Sequence, residues 1–279
     1  MGTEQNITKA WRSLYREGVS SPGGSEGSLE LTIVVPTFNE YANVTSLVNA
    51  LETVLCGVQW EVLFVDDHSP DGTAEQIRSA SVANPRVRLL ERIGRRGLSS
   101  ACIEGMCTTI APFIAVMDAD LQHDEGVLPE MLHRLKTESL DLVVGSRAVP
   151  GGGMGEISAG RVMLSHLGSK AAHLFCNSEL SDAMSGFFML RRSFFEKCVA
   201  RMEGIGFKVL LELLAASEMP PRIAEVPYTF RPRGRGSSKF GVCASLAYLR
   251  FLGRRFSRSF GATVRRVGEP ALGGLLHRR

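Results

Sequence analysis

The 279-residue sequence has few aromatic residues, 7% of the total with only two tryptophans and four tyrosines. Cysteine is also scarce. Its six copies, at positions 56, 102, 107, 176, 198 and 243, form no Cys-x-x-Cys pair and no zinc-finger spacing. That excludes a disulfide framework, and reduced, mostly buried thiols in a reducing compartment are expected. No window offers the ~18 uninterrupted apolar residues of a membrane-spanning helix. The first turns carry Glu4, Lys9, Arg12, Arg16 and Glu17 in place of an apolar leader core, so no secretory signal is expected. Neither Gly-x-Gly-x-x-Gly nor Gly-x-x-x-x-Gly-Lys-Ser/Thr occurs, which argues against a dinucleotide oxidoreductase and a P-loop enzyme.

What is present is an ordinary globular balance, 44% hydrophobic and 22% charged. A chain of this length buries roughly 75% of its unfolded surface and makes one or two domains. Its net charge of +3 conceals an asymmetry. Residues 231–279 hold twelve Arg or Lys against the single acid Glu269, a local +11 that leaves −8 for residues 1–230. Such a basic end suits an anionic lipid surface, a phosphorylated ligand or nucleic acid. No RNA-recognition, helix-turn-helix or zinc-finger pattern accompanies it, so nucleic acid is not expected as a partner.

Residues 1–28 read as a tail closed by the linker-like run Ser20–Ser28. From Leu31 onward, short β-rich runs alternate with segments of helix length: Leu31–Val35, Trp60–Val65, Val87–Glu91, Phe113–Met117 and Leu140–Gly145. This alternation predicts an α/β fold, a mostly parallel sheet flanked by helices, with ligands held beyond the carboxyl ends of the strands. A helix over about 158–176, a short strand at Gly186–Leu190, helices near Phe194–Ala200 and Phe207–Ala216, and an extended run Ile223–Phe230 follow. The catalytic domain is expected over 29–240, and a C-terminal amphipathic helix with a basic tail over 241–279.

The residues that leave each strand are the candidates for chemistry. After the first come Pro36, Phe38 and Glu40, a ring that could flank a flat base and a carboxylate that could accept its N–H groups. After the second come Asp66 and Asp67, a carboxylate pair that needs hydrogen-bond donors, and then Ser69 and Pro70, which read as N-cap and first residue of a helix. The fourth strand runs into Asp118-Ala119-Asp120-Leu121-Gln122. Residues i and i+2 of an extended chain face the same way, so both carboxylates and the Gln122 oxygen suit a hard divalent cation, Mg2+ or Mn2+. His123 reads as a surface residue. Arg147 and Arg161 bracket a glycine-rich loop opening at Pro150, and Lys208, Arg233 and Lys239 are further cations. Arginine forks bind phosphate well and also form ordinary surface ion pairs.

Taken in order, Val-Val-Pro-Thr-Phe-Asn-Glu, Val-Asp-Asp-His-Ser-Pro-Asp-Gly-Thr, Met-Asp-Ala-Asp-Leu-Gln-His, Gly-Ser-Arg, Ser-Gly-Phe-Phe-Met-Leu-Arg-Arg and the Arg-x-x-Gly-x-Ser-Lys at 233–239 resemble the polyprenyl-phosphate (dolichyl-phosphate) mannosyltransferases of glycosyltransferase family 2. The likeness covers about residues 30–250. It implies a GT-A nucleotide-diphospho-sugar transferase fold and inverting transfer of mannose from GDP-mannose to a polyprenyl or dolichyl phosphate. By that resemblance Pro36, Phe38, Glu40, Val65, Asp67, Asp118, Ala119, Asp120, Lys208 and Arg233 would bind the donor. Asp118, Asp120 and Gln122 would hold the metal, and Arg147, Arg161, Ser165, Arg233 and Lys239 the acceptor phosphate. The catalytic set would be Asp118, Asp120, Arg147 and Arg161.

A phosphate acceptor is already anionic, so no general base is required and Asp182 is not assigned as one. A UDP-sugar donor with the same acceptor class, and a non-catalytic nucleotide-sugar-binding protein, are the alternatives. Leu246, Leu249, Phe251 and Leu252 beside Arg250, Arg254, Arg255 and Arg258 suit a helix lying on an anionic leaflet or one packed on the domain. The expected location is cytoplasmic and peripheral, on the cytosolic face of a membrane, with a separate anchoring subunit as a possible partner.

Overall fold

The computed structural model describes residues 28–153 and 180–232. Arg161, Ser165, Arg233, Lys239, most of the glycine-rich loop, the 158–176 helix and the amphipathic C-terminal segment lie outside the described residues. In chain order the elements are β1 (Leu31–Thr37), α1 (Val44–Val54), β2 (Trp60–Asp66), α2 (Thr73–Ala83), β3 (Val87–Glu91) and α3 (Leu98–Cys107). They continue with β4 (Phe113–Val116), a 3-10 turn (Glu125–Val127), α4 (Leu128–Thr137), β5 (Leu142–Ser146), β6 (Phe188–Arg191), α5 (Arg192–Val199), α6 (Val209–Ala216) and β7 (Ile223–Pro227).

The strands form one seven-stranded sheet in the order β3-β2-β1-β4-β6-β5-β7. β6 runs antiparallel to both β4 and β5, and every other pairing is parallel. Six strands therefore end at one edge, as the alternation of elements predicts. Every residue of β2, β4 and β5 is buried, the mark of a sheet covered on both faces. The covering helices bury one stripe each: Val44, Leu47, Val48 and Leu51 on α1, and Leu128, Met131, Leu132 and Leu135 on α4, both at the i, i+3, i+4, i+7 spacing. α3 packs tightly on the sheet, because a Cβ on Gly105 would come within 2.5 Å of Val34 Cγ1 and 2.9 Å of Val65 Cγ2. Any larger residue there would push the helix off the centre of the sheet.

Three local expectations change. The second helix starts at Thr73 behind Gly72, not at Ser69-Pro70. Ser69 is diverted because its N–H and hydroxyl both donate to Asp66, at 2.8 and 2.6 Å, while its Oγ accepts from Asn39 N. Asp71 caps the turn instead, accepting from Thr73 N and Oγ1. The fifth strand begins at Leu142 rather than Leu140. Beyond Pro227 the extended run leaves the sheet ladder and pairs with the residues that follow β5: Tyr228 N donates to Ser146 O, Gly153 N to Tyr228 O and Phe230 N to Gly153 O.

Candidate active site

The strand order reverses between β1 and β4, and the loops leaving β1, β2 and β4 meet at that edge. On the β1–β2 side, the parallel register sets Pro36 beside Val65 and Thr37 beside Asp66. Val65 is fully buried, with its side chain toward Gly105, so any ligand contact there falls to its main chain. Glu40 is held by two bonds: its N–H donates to Thr73 Oγ1 at 2.9 Å and its Oε2 accepts from Asn43 at 2.7 Å. The Phe38 ring is covered by the guanidinium of Arg96, 4.6 Å from its centroid.

The two neighbouring aspartates obtain their donors from the protein itself. Asp66 accepts from Thr37 Oγ1, Ser69 N and Ser69 Oγ. Asp67 accepts from Arg92 Nη1 at 2.6 Å and from Gly97 N at 2.7 Å, at a glycine whose φ of +143° suits no side chain-bearing residue. Burial raises the Asp67 pKa above the ordinary carboxylate range despite the opposing Gly97 and Arg92 bonds. Arg92 is itself buried, and its guanidinium also reaches Ser100 and Glu104. This arginine directly follows β3 at the same sheet edge; the rule that singled out the residues after β1, β2 and β4 would have found it.

Beyond β4, Asp118 points outward with a side chain 42% exposed, while Ala119 and Asp120 are buried. Asp120 Oδ1 accepts from Gln122 N at 3.2 Å, and Gln122 Nε2 donates to Arg231 O at 3.1 Å. Gln122 O in turn accepts from Arg231 N. His123 is not a surface residue: it is 2% exposed, stacked on Phe187 at 5.1 Å and edge-on to Tyr228 and Phe230. Its Nδ1 accepts from Asp118 N at 3.1 Å. Burial holds its pKa down at about 4, so the ring is neutral at physiological pH and carries its proton on Nε2, which lies 3.8 Å from Asp118 Oδ2. The apolar ring is therefore a prop for the outward-facing aspartate.

On the far side, Arg147 is tied to Asp182 by three bonds, from Nε at 2.7 Å, Nη2 at 2.9 Å and N at 3.2 Å. Asp182 is almost fully buried, and Glu225 accepts from Ser181 N and Asp182 N. Leaving Asp182 unassigned as a base fits this geometry, because both its oxygens serve Arg147. Burial works to lower the Arg147 pKa, yet the Asp182 bonds outweigh it and the guanidinium stays charged. Lys208 Nζ donates to Met184 O at 3.2 Å. Burial, reinforced by the positive charge of Arg147, brings its pKa down to about 8, and Asp118 and Asp182 oppose that shift. Asp118, Arg147, Asp182 and Lys208 thus lie close enough to act on one another's charge.

Among the described residues, Asn39, His68 and Leu121 are the non-glycine residues in left-handed backbone, with φ of 57°, 55° and 60°. They follow β1, β2 and β4 respectively, one per loop at the switch edge. Asn and His tolerate that conformation, whereas Leu121 pays about 1–2 kcal/mol for it. Its turn lets Asp120 bond Gln122 N two residues on. Among the described residues no group of three or more His, Cys, Asp or Glu could hold a metal. Two aspartates and an amide oxygen nevertheless fit the sparse protein shell of a cation completed by substrate phosphate and water.

The mixed sheet, with Asp118, Asp120 and Arg147 following its strands at one edge, has GT-A architecture, the fold of a class of glycosyltransferases. Residues 32–199 match the family model for glycosyl transferase family 2. The dolichol-phosphate mannosyltransferase of Saccharomyces cerevisiae is 34% identical over 245 residues, 84% of this chain and 90% of that protein. The protein of that name from Pyrococcus furiosus is also 34% identical, over 81% of this chain but 63% of the longer archaeal protein. An undecaprenyl-phosphate mannosyltransferase from Micrococcus luteus is 32% identical over 76% of this chain and 87% of that one. Among solved structures, glucosyl-3-phosphoglycerate synthase from Mycobacterium tuberculosis, in complex with Mn2+, UDP and glucosyl-3-phosphoglycerate, superposes with a TM-score of 0.55 at 19% identity, covering 91% of this chain and 88% of that chain. That likeness bears on the fold. The chain belongs to glycosyl transferase family 2.

Proposed function

We propose that this chain transfers mannose from GDP-mannose to a polyprenyl phosphate of the dolichyl type, inverting the anomeric carbon. The observation that carries this reading is the outward carboxylate of Asp118 within electrostatic reach of Arg147 and Lys208. The relatives named for mannose transfer to dolichol or undecaprenyl phosphate support the substrates. In this reading Asp118 and Asp120, with the Gln122 Oε1, hold Mg2+ or Mn2+. When bound, that ion supplies charge neutralisation for the departing diphosphate.

The remaining work falls to the chain's own side chains. A phosphate monoester has its second pKa near ~6, so the acceptor oxygen is a ready nucleophile at neutral pH and needs no proton taken from it. Arg147, clamped by Asp182, presents a fixed fork for that phosphate, and Lys208, close enough to feel the Arg147 charge, supplies a positive charge for the donor diphosphate. Pro36, Phe38, Glu40, the Val65 main chain and Asp67 line the β1–β2 side, where the guanosine is held. Arg161, Ser165, Arg233 and Lys239 would complete the acceptor and sugar contacts from outside the described residues.

No helix among the described residues is long and apolar enough to cross a membrane. We place access to a lipid acceptor at the cytosolic face of a membrane, by way of the basic residues of 231–279 or a separate anchoring subunit. The test is transfer of radiolabel from GDP-mannose and, in parallel, UDP-glucose to a short polyprenyl phosphate in detergent with Mn2+ or EDTA. Metal-dependent label from GDP-mannose, lost in Asp118→Asn and Asp120→Asn variants that keep their fold, is expected. Label from UDP-glucose alone would replace the donor, and full turnover in both variants would overturn the metal site.

A further inference from the structure

Tyr228 leaves β7 at the same sheet edge as Asp118 and Arg147, and it is one of the four tyrosines of the chain. Its side chain is 3% exposed, wedged edge-on against Phe187 at 5.5 Å and His123 at 5.9 Å. Its main chain is fixed on both sides, to Ser146 O next to Arg147 and to Gly153 N where the glycine-rich segment begins. The ring is therefore held firmly. Its hydroxyl, however, has no hydrogen-bond partner among the described residues. Ser185 exerts only a weak hydrogen-bonding pull on the phenol without meeting it at bonding distance and angle, because its own hydroxyl proton is directed to Gly145 O at 2.7 Å. The Tyr228 main-chain bond to Ser146 sets it beside Arg147, and its ring lies against His123, the ring that accepts from Asp118 N, so the phenol stands near both side chains.

A buried hydroxyl without a partner is a loss to the empty protein, since water has been stripped from it and nothing returned. A phenylalanine would fill the same space without that loss. Buried polar groups are so regularly paired that one left without a bond of proper geometry, beside the residues that follow β5, points to a partner arriving from outside. The ring remains protonated because burial raises its pKa above that of free tyrosine, so toward any ligand it acts as a donor.

We propose that the Tyr228 hydroxyl is a positioning donor for an oxygen of the reacting ligands at the junction of Asp118 and Arg147, supplied either by the transferred hexose or by the acceptor phosphate. The assignment rests on the transfer reading above. It makes Tyr228 a residue whose hydroxyl the bound state uses and the free state does without. That predicts opposite effects of one atom on stability and on turnover, which a packing role would not give.

The experiment compares wild type and Tyr228→Phe for urea stability without ligands and for steady-state transfer from GDP-mannose to a short polyprenyl phosphate. Unliganded stability should be equal or higher in the variant, with kcat/KM about tenfold lower, the ordinary worth of one buried hydrogen bond. A rise in KM for GDP-mannose alone would assign the hexose, and a rise for the polyprenyl phosphate alone the phosphate. Unchanged kinetics, or lost stability with unchanged kinetics, would overturn the proposal and leave Tyr228 as packing. A wild type inactive on this donor and acceptor would refute the transfer reading itself, and direct binding of GDP-mannose and of polyprenyl phosphate to both proteins would then decide Tyr228: weaker binding of either to the variant supports it, equal binding of both sinks it.

Discussion

His123 is a buried neutral ring under the aspartate loop, and the pH dependence of stability can measure that directly. Its pKa stands at about 4 in the folded chain against 6.5 for a free histidine. Because the folded value is depressed, the unfolded chain binds the extra proton first as the pH falls. Stability from this group is therefore present in full above pH ~6.5 and is lost progressively down to about 4. A difference of about 2.5 pH units at 1.36 kcal/mol each is worth about 3 kcal/mol, an order-of-magnitude figure. The matched variant is His123→Asn, whose amide oxygen can still accept from Asp118 N while carrying no titratable proton. Loss of the ring that stacks on Phe187 should make it less stable than wild type by about 2–4 kcal/mol at pH 7.5. Urea unfolding followed by far-UV circular dichroism at half-unit steps from pH 7.5 to 4 gives both curves. The gap should shrink by about 3 kcal/mol across that range, since only wild type suffers the histidine protonation. A gap that stays constant from pH 7.5 to 4 would show that His123 titrates like an exposed histidine, and the reading of the Asp118 prop would fail with it.

Two further perturbations probe Arg147 and Lys208. Asp182→Asn removes the buried partner of Arg147, and breaking a buried pair of this kind should lower stability by about 3 kcal/mol and raise KM for the polyprenyl phosphate about tenfold, read from urea unfolding and acceptor titration; an unchanged acceptor KM would remove Arg147 from that role. Lys208, with its pKa at about 8, loses its charge as the pH rises, so kcat/KM for GDP-mannose should fall above pH ~8 in wild type and stay level to higher pH in Lys208→Arg. Identical alkaline limbs in the two proteins would show that another group sets them.

The sequence by itself settled the alternation of strands and helices, because apolar runs of strand length bounded by turns and caps are local facts. It also singled out the loops proposed to carry chemistry: Asp118, Asp120, Gln122 and Arg147 come just after strands, and in a parallel sheet the residues after a strand lie at the ligand edge. The motifs named the family that the matches then showed. What the sequence left undecided is everything that depends on which residues meet across the fold. Ser69-Pro70 has the form of a helix start, yet Asp66, three residues earlier and buried, took the serine's donors first. His123 looks solvated after a turn, and only the aromatic faces of Phe187, Tyr228 and Phe230, brought from more than sixty positions away in sequence, bury it and keep it neutral. Asp182, not assigned a role from the sequence, gains one only when the fold sets it against Arg147. Local pattern determines where a chain turns and which face it buries. Charge state, hydrogen-bond partnership and the solvent left around a side chain are properties of neighbours, and neighbours are chosen by the tertiary structure.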